Sequence, residues 1–188
     1  MVFVAFYLAS CNSSSAPTSA AKVDLSIYTT ENVPGTSLKK ISRTHSSGDI
    51  YEEGFVKDGV REGTWIVYYP NNGYIQTVSS YVNGVFTGPY IEFDERGRLL
   101  KQANYMNNEL HGLYGEFKTG RPIKKIMYNN GAINGFVKEY NSRAELIKET
   151  IYKNNVLDGY MRHFNEDGKV VLEYIYKNGE KISGGIIE

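Results

Sequence analysis

The amino-acid sequence predicts an all-β protein, built as an elongated single-sheet meander of tandem β-hairpin repeats. Three observations predict it: the chain is rich in Tyr and Gly, it repeats about every 24 residues from Tyr51 onward, and each repeat carries turn-forming residues at fixed places. The sequence holds 16 Tyr and 19 Gly against 5 Pro and one Trp. Tyr favours a pleated, half-buried surface and Gly supplies the positive φ of tight hairpin turns, so strands are expected rather than helices.

Overall composition narrows the classes of function. Hydrophobic residues make up 41% of the 188 residues and charged residues 22%, which is typical of a folded protein. Lys plus Arg and Asp plus Glu both number 21. This balance gives no basic footprint, so nucleic acid is not expected as a partner.

The N-terminal region has the pattern of an export signal. Residues 1–10 form an apolar run that leads into the single cysteine, Cys11, and small residues fill positions 12–21. About ten apolar residues are too few to span a bilayer of about 30 Å as a helix, but they suit the apolar region of a signal peptide. The alternative is a buried N-terminal strand with an inert cysteine.

The tetrapeptide Leu8-Ala9-Ser10-Cys11 resembles the bacterial lipobox. This resemblance implies cleavage before Cys11 and attachment of lipid to its thiol, and more than one acyl chain would make the anchor stable. We therefore expect a signal peptide at 1–10 and a flexible tether at 11–21. The protein would be lipid-anchored in the bacterial cell envelope, either periplasmic or at the outer membrane.

Residues 22–50 are expected to form N-terminal strands that cap the array. Apolar and polar residues alternate over residues 23–29, which favours a strand, and residues 38–43 form a second candidate. Pro34-Gly35 marks a turn between them, and residues 46–48 form a loop.

Residues 51–188 carry the repeats, and four positions recur in each unit. Anchor tyrosines are Tyr81, Tyr105, Tyr128, Tyr152 and Tyr176. Glycines of one series are Gly63, Gly88, Gly112, Gly135 and Gly159, and a ring follows each five residues later at Tyr68, Phe93, Phe117, Tyr140 and Phe164. Turn residues after the anchors are Gly84, Asn108, Gly131, Asn155 and Gly179. Self-similarity at this period indicates a repeat architecture.

Each unit has the pattern of a β-hairpin. In one unit residues 89–93 form a strand, residues 95–97 a turn and residues 99–106 the return strand; in another, strands at 136–140 and 146–153 flank a turn. Asn and Gly adopt the left-handed turn conformation at low cost. Two strands per unit advance the sheet by about 10 Å per repeat.

The repeat resembles that of the MORN-repeat-variant family. The closest copies are Tyr81-Val82-Asn83-Gly84, with Gly88 and Phe93 following, and Tyr176-Lys177-Asn178-Gly179. The resemblance implies a hairpin array that serves as a binding or spacing module, in a family that includes lipoproteins and antitoxin components. The chain departs from the pattern at Asn108 and Asn155, which replace glycine, and at Ser183.

Two aromatic series are candidate contact surfaces. The repeated rings from Tyr68 to Phe164 form a stripe that is either a binding groove or the core of the sheet. Trp65, Tyr90 and Tyr114 lie on the opposite parity, and Val137 and Met161 take their place in later units. An exposed ring series of this kind marks a recognition surface, so these three residues are the predicted partner-binding residues.

Repeated charges predict ion pairs across the hairpins. Hairpin closure brings Glu92 near Lys101, Glu116 near Lys124, and Glu139 near Lys148. Such surface pairs contribute from a few tenths to about 1 kcal/mol each. The pattern therefore favours a solvated charged row over acid–base chemistry.

The sequence shows no catalytic constellation. His45, His111 and His163 lack metal-ligand spacing, and neither a Gly-x-Ser-x-Gly elbow nor a phosphate-binding loop occurs. We expect no enzyme activity, cofactor or metal. The expected function is a membrane-anchored scaffold or adaptor that binds another envelope protein; the alternatives are an antitoxin- or immunity-like inhibitor of a toxic protein, and a glycan- or lipid-binding module.

Overall fold

The computed structural model describes residues 21–187, which form one antiparallel sheet of 16 strands. This confirms the expected fold class. The signal peptide at 1–10, the lipidation of Cys11 and residues 11–20 of the tether lie outside the described residues. The strands are β1 (Thr29–Asn32), β2 (Lys39–Thr44), β3 (Ile50–Lys57), β4 (Val60–Tyr68), β5 (Ile75–Val82), β6 (Val85–Phe86), β7 (Gly88–Phe93), β8 (Leu99–Met106), β9 (Glu109–Leu110), β10 (Gly112–Lys118), β11 (Arg121–Asn129), β12 (Ala132–Tyr140), β13 (Leu146–Lys153), β14 (Val156–Phe164), β15 (Val170–Lys177) and β16 (Glu180–Ile186).

The sheet follows the order of the chain. Each strand pairs with the next, except that the short strands β6 and β9 pair with β5 and β8, and β7 and β10 continue the sheet beside them. In each case a bulge divides one long strand in two: β6 and β7 in one unit, and β9 and β10 in the next. The predicted return strands at 99–106 and 146–153 coincide with β8 and β13.

The glycine series lies directly opposite the anchor tyrosines. Gly135 faces Tyr152 and Gly159 faces Tyr176. Both glycines have positive φ, +123° and +141°. A Cβ on Gly159 would lie 2.8 Å from the Cβ of Ile151, so the backbone conformation and the space both require glycine there.

The N-terminal residues differ from the prediction. A strand was expected over residues 23–29, but Leu25–Ile27 forms a single turn of 3-10 helix and β1 begins at Thr29. The Asp24 carboxylate accepts hydrogen bonds from the Ser26 amide, 3.0 Å, and the Ser26 hydroxyl, 2.7 Å. This local side-chain bonding competes with extended structure. The turn at Pro34-Gly35 is as predicted, and the second strand, β2, begins and ends one residue later than the predicted 38–43.

The register divides the sheet into two faces, because residues directly opposite each other project to the same side. The tyrosine face carries the anchor tyrosines, and the ring-stripe face carries Tyr68, Phe93, Phe117, Tyr140 and Phe164. The buried side chains all project from the tyrosine face: Ile41, Glu52, Val56, Trp65, Ala103, Ile126, Val137 and Thr150. The core of the described sheet therefore lies along one face.

Candidate binding surface on the tyrosine face

Three parallel rows of side chains run across the strands of the tyrosine face. The anchor row alternates the anchor tyrosines with Phe86, Leu110, Ile133 and Leu157. The central row consists of the pairs Trp65–Ser79, Tyr90–Ala103, Tyr114–Ile126, Val137–Thr150 and Met161–Tyr174. The charged row contains Glu92, Lys101, Glu116, Lys124, Glu139 and Lys148. Repetition of one hairpin thus generates three continuous stripes.

Trp65 is buried, so the exposure predicted for it is wrong. Only 1% of its surface is accessible. The indole N–H donates a hydrogen bond of 3.0 Å to the Phe55 carbonyl. A Cβ at Gly54 would lie 2.5 Å from the indole, so glycine on the neighbouring strand makes room for the ring. Trp65 belongs to the core, and a partner cannot reach it on this face while the N-terminal segment is in place.

The segment of residues 22–28, which we call the cap, covers Trp65. Val23, Leu25 and Tyr28 pack against the core cluster that contains Trp65. The Tyr28 ring meets the indole edge-on, with centroids 6.4 Å apart. The Val23 amide donates to the Gly59 carbonyl at 2.8 Å, which fixes the cap to the β3–β4 turn.

A charged network fastens the cap to the sheet. The Tyr28 hydroxyl donates to Glu52 at 3.0 Å, and Arg61 forms an ion pair with the same carboxylate at 3.2 Å. Burial, reinforced by the Glu52 carboxylate, raises the pKa of Tyr28 to about 12. The Arg61 guanidinium lies 4.2 Å from the centroid of the Trp65 ring and donates to the Tyr81 hydroxyl at 3.0 Å. Neither Glu52 nor Arg61 is among the site residues that the sequence predicts. Glu52 lies opposite Val67 and Arg61 opposite Val56 in the register, so hairpin closure alone does not bring the two side chains together.

Tyr90 and Tyr114 remain on the surface, half-buried. The Tyr90 hydroxyl donates to Glu92 at 3.1 Å and the Tyr114 hydroxyl to Glu116 at 2.9 Å. Burial, together with these carboxylates, raises the pKa of both phenols. Each tyrosine therefore links the apolar central row to the charged row, while its ring stays neutral at physiological pH.

Aromatic side chains join the anchor and central rows into one surface. Phe86 stacks on Tyr105 with centroids 4.2 Å apart and on Tyr81 at 5.3 Å. Tyr90 meets Tyr105 edge-on at 6.3 Å, and Tyr114 meets Tyr128 edge-on at 5.9 Å. Within residues 21–187 everything after Tyr28 belongs to the sheet and its turns, so from β7 onward this face has no second layer.

The predicted charge pairs are confirmed in register, and the three pairs also join one another across the hairpins. Glu92 and Lys101 form an ion pair at 3.4 Å, and Glu139 and Lys148 form one at 3.5 Å. Glu116 lies opposite Lys101 on one side and Lys124 on the other, and Lys124 lies opposite Glu139. Charges of opposite sign therefore alternate without a break over six neighbouring strands.

The ring stripe lies on the other face, one ring at the end of each hairpin. A bulge precedes each ring in the register, as between Glu116 and Phe117. Tyr68 donates to Glu53 at 2.6 Å, and Phe117 packs against Gly115. The middle of this face becomes charged in the later units, where Lys138 pairs with Glu149 at 3.2 Å. The tyrosine face is therefore the more continuous candidate surface.

The remaining candidate residues are dispersed. His111 lies 3.1 Å from the Asn130 side-chain oxygen, His163 lies opposite Lys148, and the His45 ring meets Tyr51. In the part of the chain that the structure describes, no group of three or more His, Cys, Asp or Glu residues is placed to hold a metal ion. Across residues 21–187 there is also no helix with the length and apolar character needed to cross a membrane.

No family model matches the chain, and no curated protein matches it. Among solved structures, the crystal structure of TarM is similar over 51% of this chain, with 16% sequence identity and a TM-score of 0.36. The match spans 19% of the TarM chain.

Proposed function

We propose that this protein is a lipid-anchored scaffold of the bacterial envelope, and that it binds a protein partner through the tyrosine face from β7 onward. The observation that carries the proposal is the aromatic surface of Tyr90, Tyr105 and Tyr114 with its charged border, over which residues 21–187 place no second layer. Tyrosine is enriched in protein interfaces because it combines a large apolar area with a polar tip. A charged rim beside an aromatic centre is the usual arrangement of such interfaces.

The shape of the surface favours a protein over a small molecule. Small-molecule sites are concave and enclose most of the ligand. Here the rows extend over the six strands β7, β8 and β10–β13, or about 29 Å at about 4.8 Å per strand. An extended surface of this kind matches a macromolecular partner.

The anchor completes the proposal, and it rests on the sequence pattern at Cys11. Residues 12–21 would join the lipid at Cys11 to the cap at Lys22. The sheet would then meet partners close to the membrane surface.

Photo-crosslinking tests the proposed function. The full-length protein would carry a photoreactive phenylalanine analogue at Tyr114, on the tyrosine face, or at Phe117, on the ring-stripe face of the same strand. We expect a discrete protein adduct from position 114 in native membranes and none from position 117. Absence of any protein adduct at 114, with polysaccharide or lipid retained instead, would contradict the scaffold and favour a glycan- or lipid-binding module.

A second measurement tests the anchor. Cys11→Ala removes the predicted lipid attachment site, so the variant should leave the membrane fraction for the soluble fraction. The matched control is Ser10→Ala, which keeps the thiol. Retention of Cys11→Ala in the membrane would contradict the anchor without bearing on the binding surface.

A further inference from the structure

We infer that the partner of the tyrosine face is a second copy of this chain, bound face to face about a two-fold axis. The inference rests on the proposed function, because it names the occupant of the same surface. The observation behind it is the order of signs in the charged row. From β7 to β13 the row contains Glu92, Lys101, Glu116, Lys124, Glu139 and Lys148, each on its own strand.

This row of charges is complementary to the same row in the opposite strand order. A two-fold axis parallel to the strands, between β10 and β11, turns one sheet over onto another and reverses the order of the strands. Glu116 then meets the partner's Lys124, Lys101 meets the partner's Glu139, and Glu92 meets the partner's Lys148. Isologous contacts of this kind, in which one patch meets itself, are the commonest interfaces of soluble oligomers.

The same axis places the apolar rows on each other. A rotation about an axis parallel to the strands leaves the position along each strand unchanged, so the central row lies over the partner's central row. Tyr114 comes opposite the partner's Ile126, and Ala103 opposite the partner's Val137. Bulky side chains thus face small or aliphatic ones, which suits the interdigitation of two packed sheets.

The order of the charges also favours this alignment of the two sheets over alignments shifted by one strand. A shift by one strand would put Glu opposite Glu and Lys opposite Lys along the entire row, and like charges in contact oppose association. Both members of the Glu92–Lys101 ion pair are partly exposed: 31% of the Glu92 side chain and 38% of the Lys101 side chain are accessible. They are therefore available to a second copy while they keep their partners within the chain.

The area is sufficient for a specific dimer. Six strands and about six residues along each outline roughly 29 Å by 20 Å. Two such faces bury roughly 1,000 to 1,200 Å² in total, which reaches the size of specific interfaces. The cap over Trp65 limits the contact at one end, so the interface begins at β7, where the charged row also begins.

The pair nearest the axis gives the sharpest test. Lys124→Glu places two carboxylates against each other at both copies of this contact, because each Glu116 then meets the substituted position of the partner. Glu116→Lys places two ammonium groups together in the same way. Each variant alone should therefore lose self-association. When the two variants are mixed, both contacts become attractive again, so the mixed dimer should form.

The measurement is co-capture of two differently tagged copies of the full-length chain, expressed together and extracted in mild detergent. We expect self-capture of each single variant to fall on the order of tenfold or more, and capture between the two variants to return to the wild-type level. Lys125→Glu, on the same strand but on the ring-stripe face, is the matched control and should self-associate normally. Both single variants place like charges opposite each other within one chain, so recovery in the mixture cannot come from improved folding.

Three results would overturn the inference: no self-capture of the wild-type chain, self-capture of the variants at the wild-type level, or no recovery in the mixture. A photo-crosslink from position 114 to a different protein, without self-capture, would overturn the dimer and leave the proposed scaffold standing. Absence of any protein adduct from that position would overturn both.

Discussion

At the scale of single residues, Trp65 and Tyr90 occupy the same register position in successive units but have different surroundings. Trp65 lies under the cap and against Gly54, whereas Tyr90 lies beside Ala103 and is half-exposed. The contrast shows why the sequence could not separate core from surface within this series. Periodicity assigns a residue to a face, but the cap that covers that face lies outside the repeat and has no counterpart in the other units.

Replacement of Trp65 should therefore cost far more stability than replacement of Tyr90. We expect Trp65→Ala to lower the free energy of unfolding by about 3–5 kcal/mol, as is usual for truncation of a buried large aromatic residue. Tyr90→Ala at the equivalent position is the control and should cost clearly less. Urea unfolding followed by far-UV circular dichroism measures both, and equal losses would contradict the structural distinction.

The cap should also make stability sensitive to alkaline pH. The folded-state pKa of Tyr28 is about 12, above the ordinary value of about 10 for tyrosine. Its contribution is therefore fully present below pH 10 and is lost as the pH rises through about 12, because the unfolded chain releases the proton first. Tyr28→Phe should weaken this pH dependence in unfolding experiments between pH 9 and pH 12.

Tyr68, which donates to Glu53 on the other face, also has a pKa of about 12. By the same argument Tyr68→Phe should also weaken the pH dependence between pH 9 and pH 12, at a tyrosine that the cap does not cover. An unchanged pH dependence in both variants would show that neither phenol contributes to alkaline unfolding.

At the scale of elements, the turns between units explain why two of the glycines can be asparagine. Asn155 adopts a left-handed φ of 66°, and its side-chain oxygen accepts a hydrogen bond of 2.7 Å from the Ile133 amide in the preceding unit. Asn108 accepts in the same way from Phe86 at 2.9 Å. Gly131 donates the corresponding backbone bond to Leu110, 2.9 Å, and has no side chain to add a second one. Where asparagine replaces glycine in the repeat, its side chain thus adds a hydrogen bond between neighbouring hairpins.

Removal of one such connection should have a modest effect. Asn155→Gly keeps the turn conformation and loses the side-chain bond, so we expect a loss of about 1 kcal/mol in the free energy of unfolding. Asn155→Ala loses the same bond and must also hold an unfavourable positive φ, so it should cost more. Thermal or urea unfolding ranks the two variants, and the reverse order would contradict the role given to the side-chain amide.

The glycines opposite the anchor tyrosines should be less tolerant than those in the turns. Gly159→Ala combines a φ of +141° with a Cβ 2.8 Å from Ile151, and we expect a loss of about 3 kcal/mol or more. Gly97 lies in a turn with a φ of +71° and open space around it, so Gly97→Ala should cost about 1 kcal/mol. Similar losses in the two variants would show that Ile151 can move aside.

Most of the elements could be predicted from the sequence because each hairpin contains its own signals. The alternation of strand residues and the Asn or Gly turns specified β8 and β13 with their bounds, and the charge pairs followed from hairpin closure. The sequence did not predict the 3-10 turn at Leu25–Ile27. A short stretch of alternating apolar and polar residues looks the same in a strand and in a turn that is held by an aspartate side chain. The candidate surface was partly predicted: Tyr90 and Tyr114 lie on it, whereas Trp65 lies beneath the cap.

At the scale of the whole molecule, the sheet is a linear array in which each strand contacts its immediate neighbours. Stability in such an array is the sum of the contributions of units and of the interfaces between them. The buried cluster around Trp65 and the cap reinforces β2–β5, while the later units rely on the repeated rows alone.

A mutation in one unit should therefore act locally. We expect Trp65→Ala to increase amide hydrogen exchange in β2–β5 and to leave protection in β12–β15 nearly unchanged. Exchange measured by mass spectrometry on peptides from the two regions checks this, with Tyr90→Ala as the control. A uniform loss of protection would show that the array unfolds as a single cooperative unit.

The two-strand repeat also determines how the protein can change in length. Duplication of one unit inserts two strands, which keeps every later residue on its original face and adds one Glu and one Lys to the charged row. Deletion of one unit removes the same pair. Longer and shorter versions of the chain therefore keep the alternation of sign in the charged row without any compensating mutation. Recombination of the gene can thus change the length of the sheet while the pattern of charges that the tyrosine face offers to a partner stays the same.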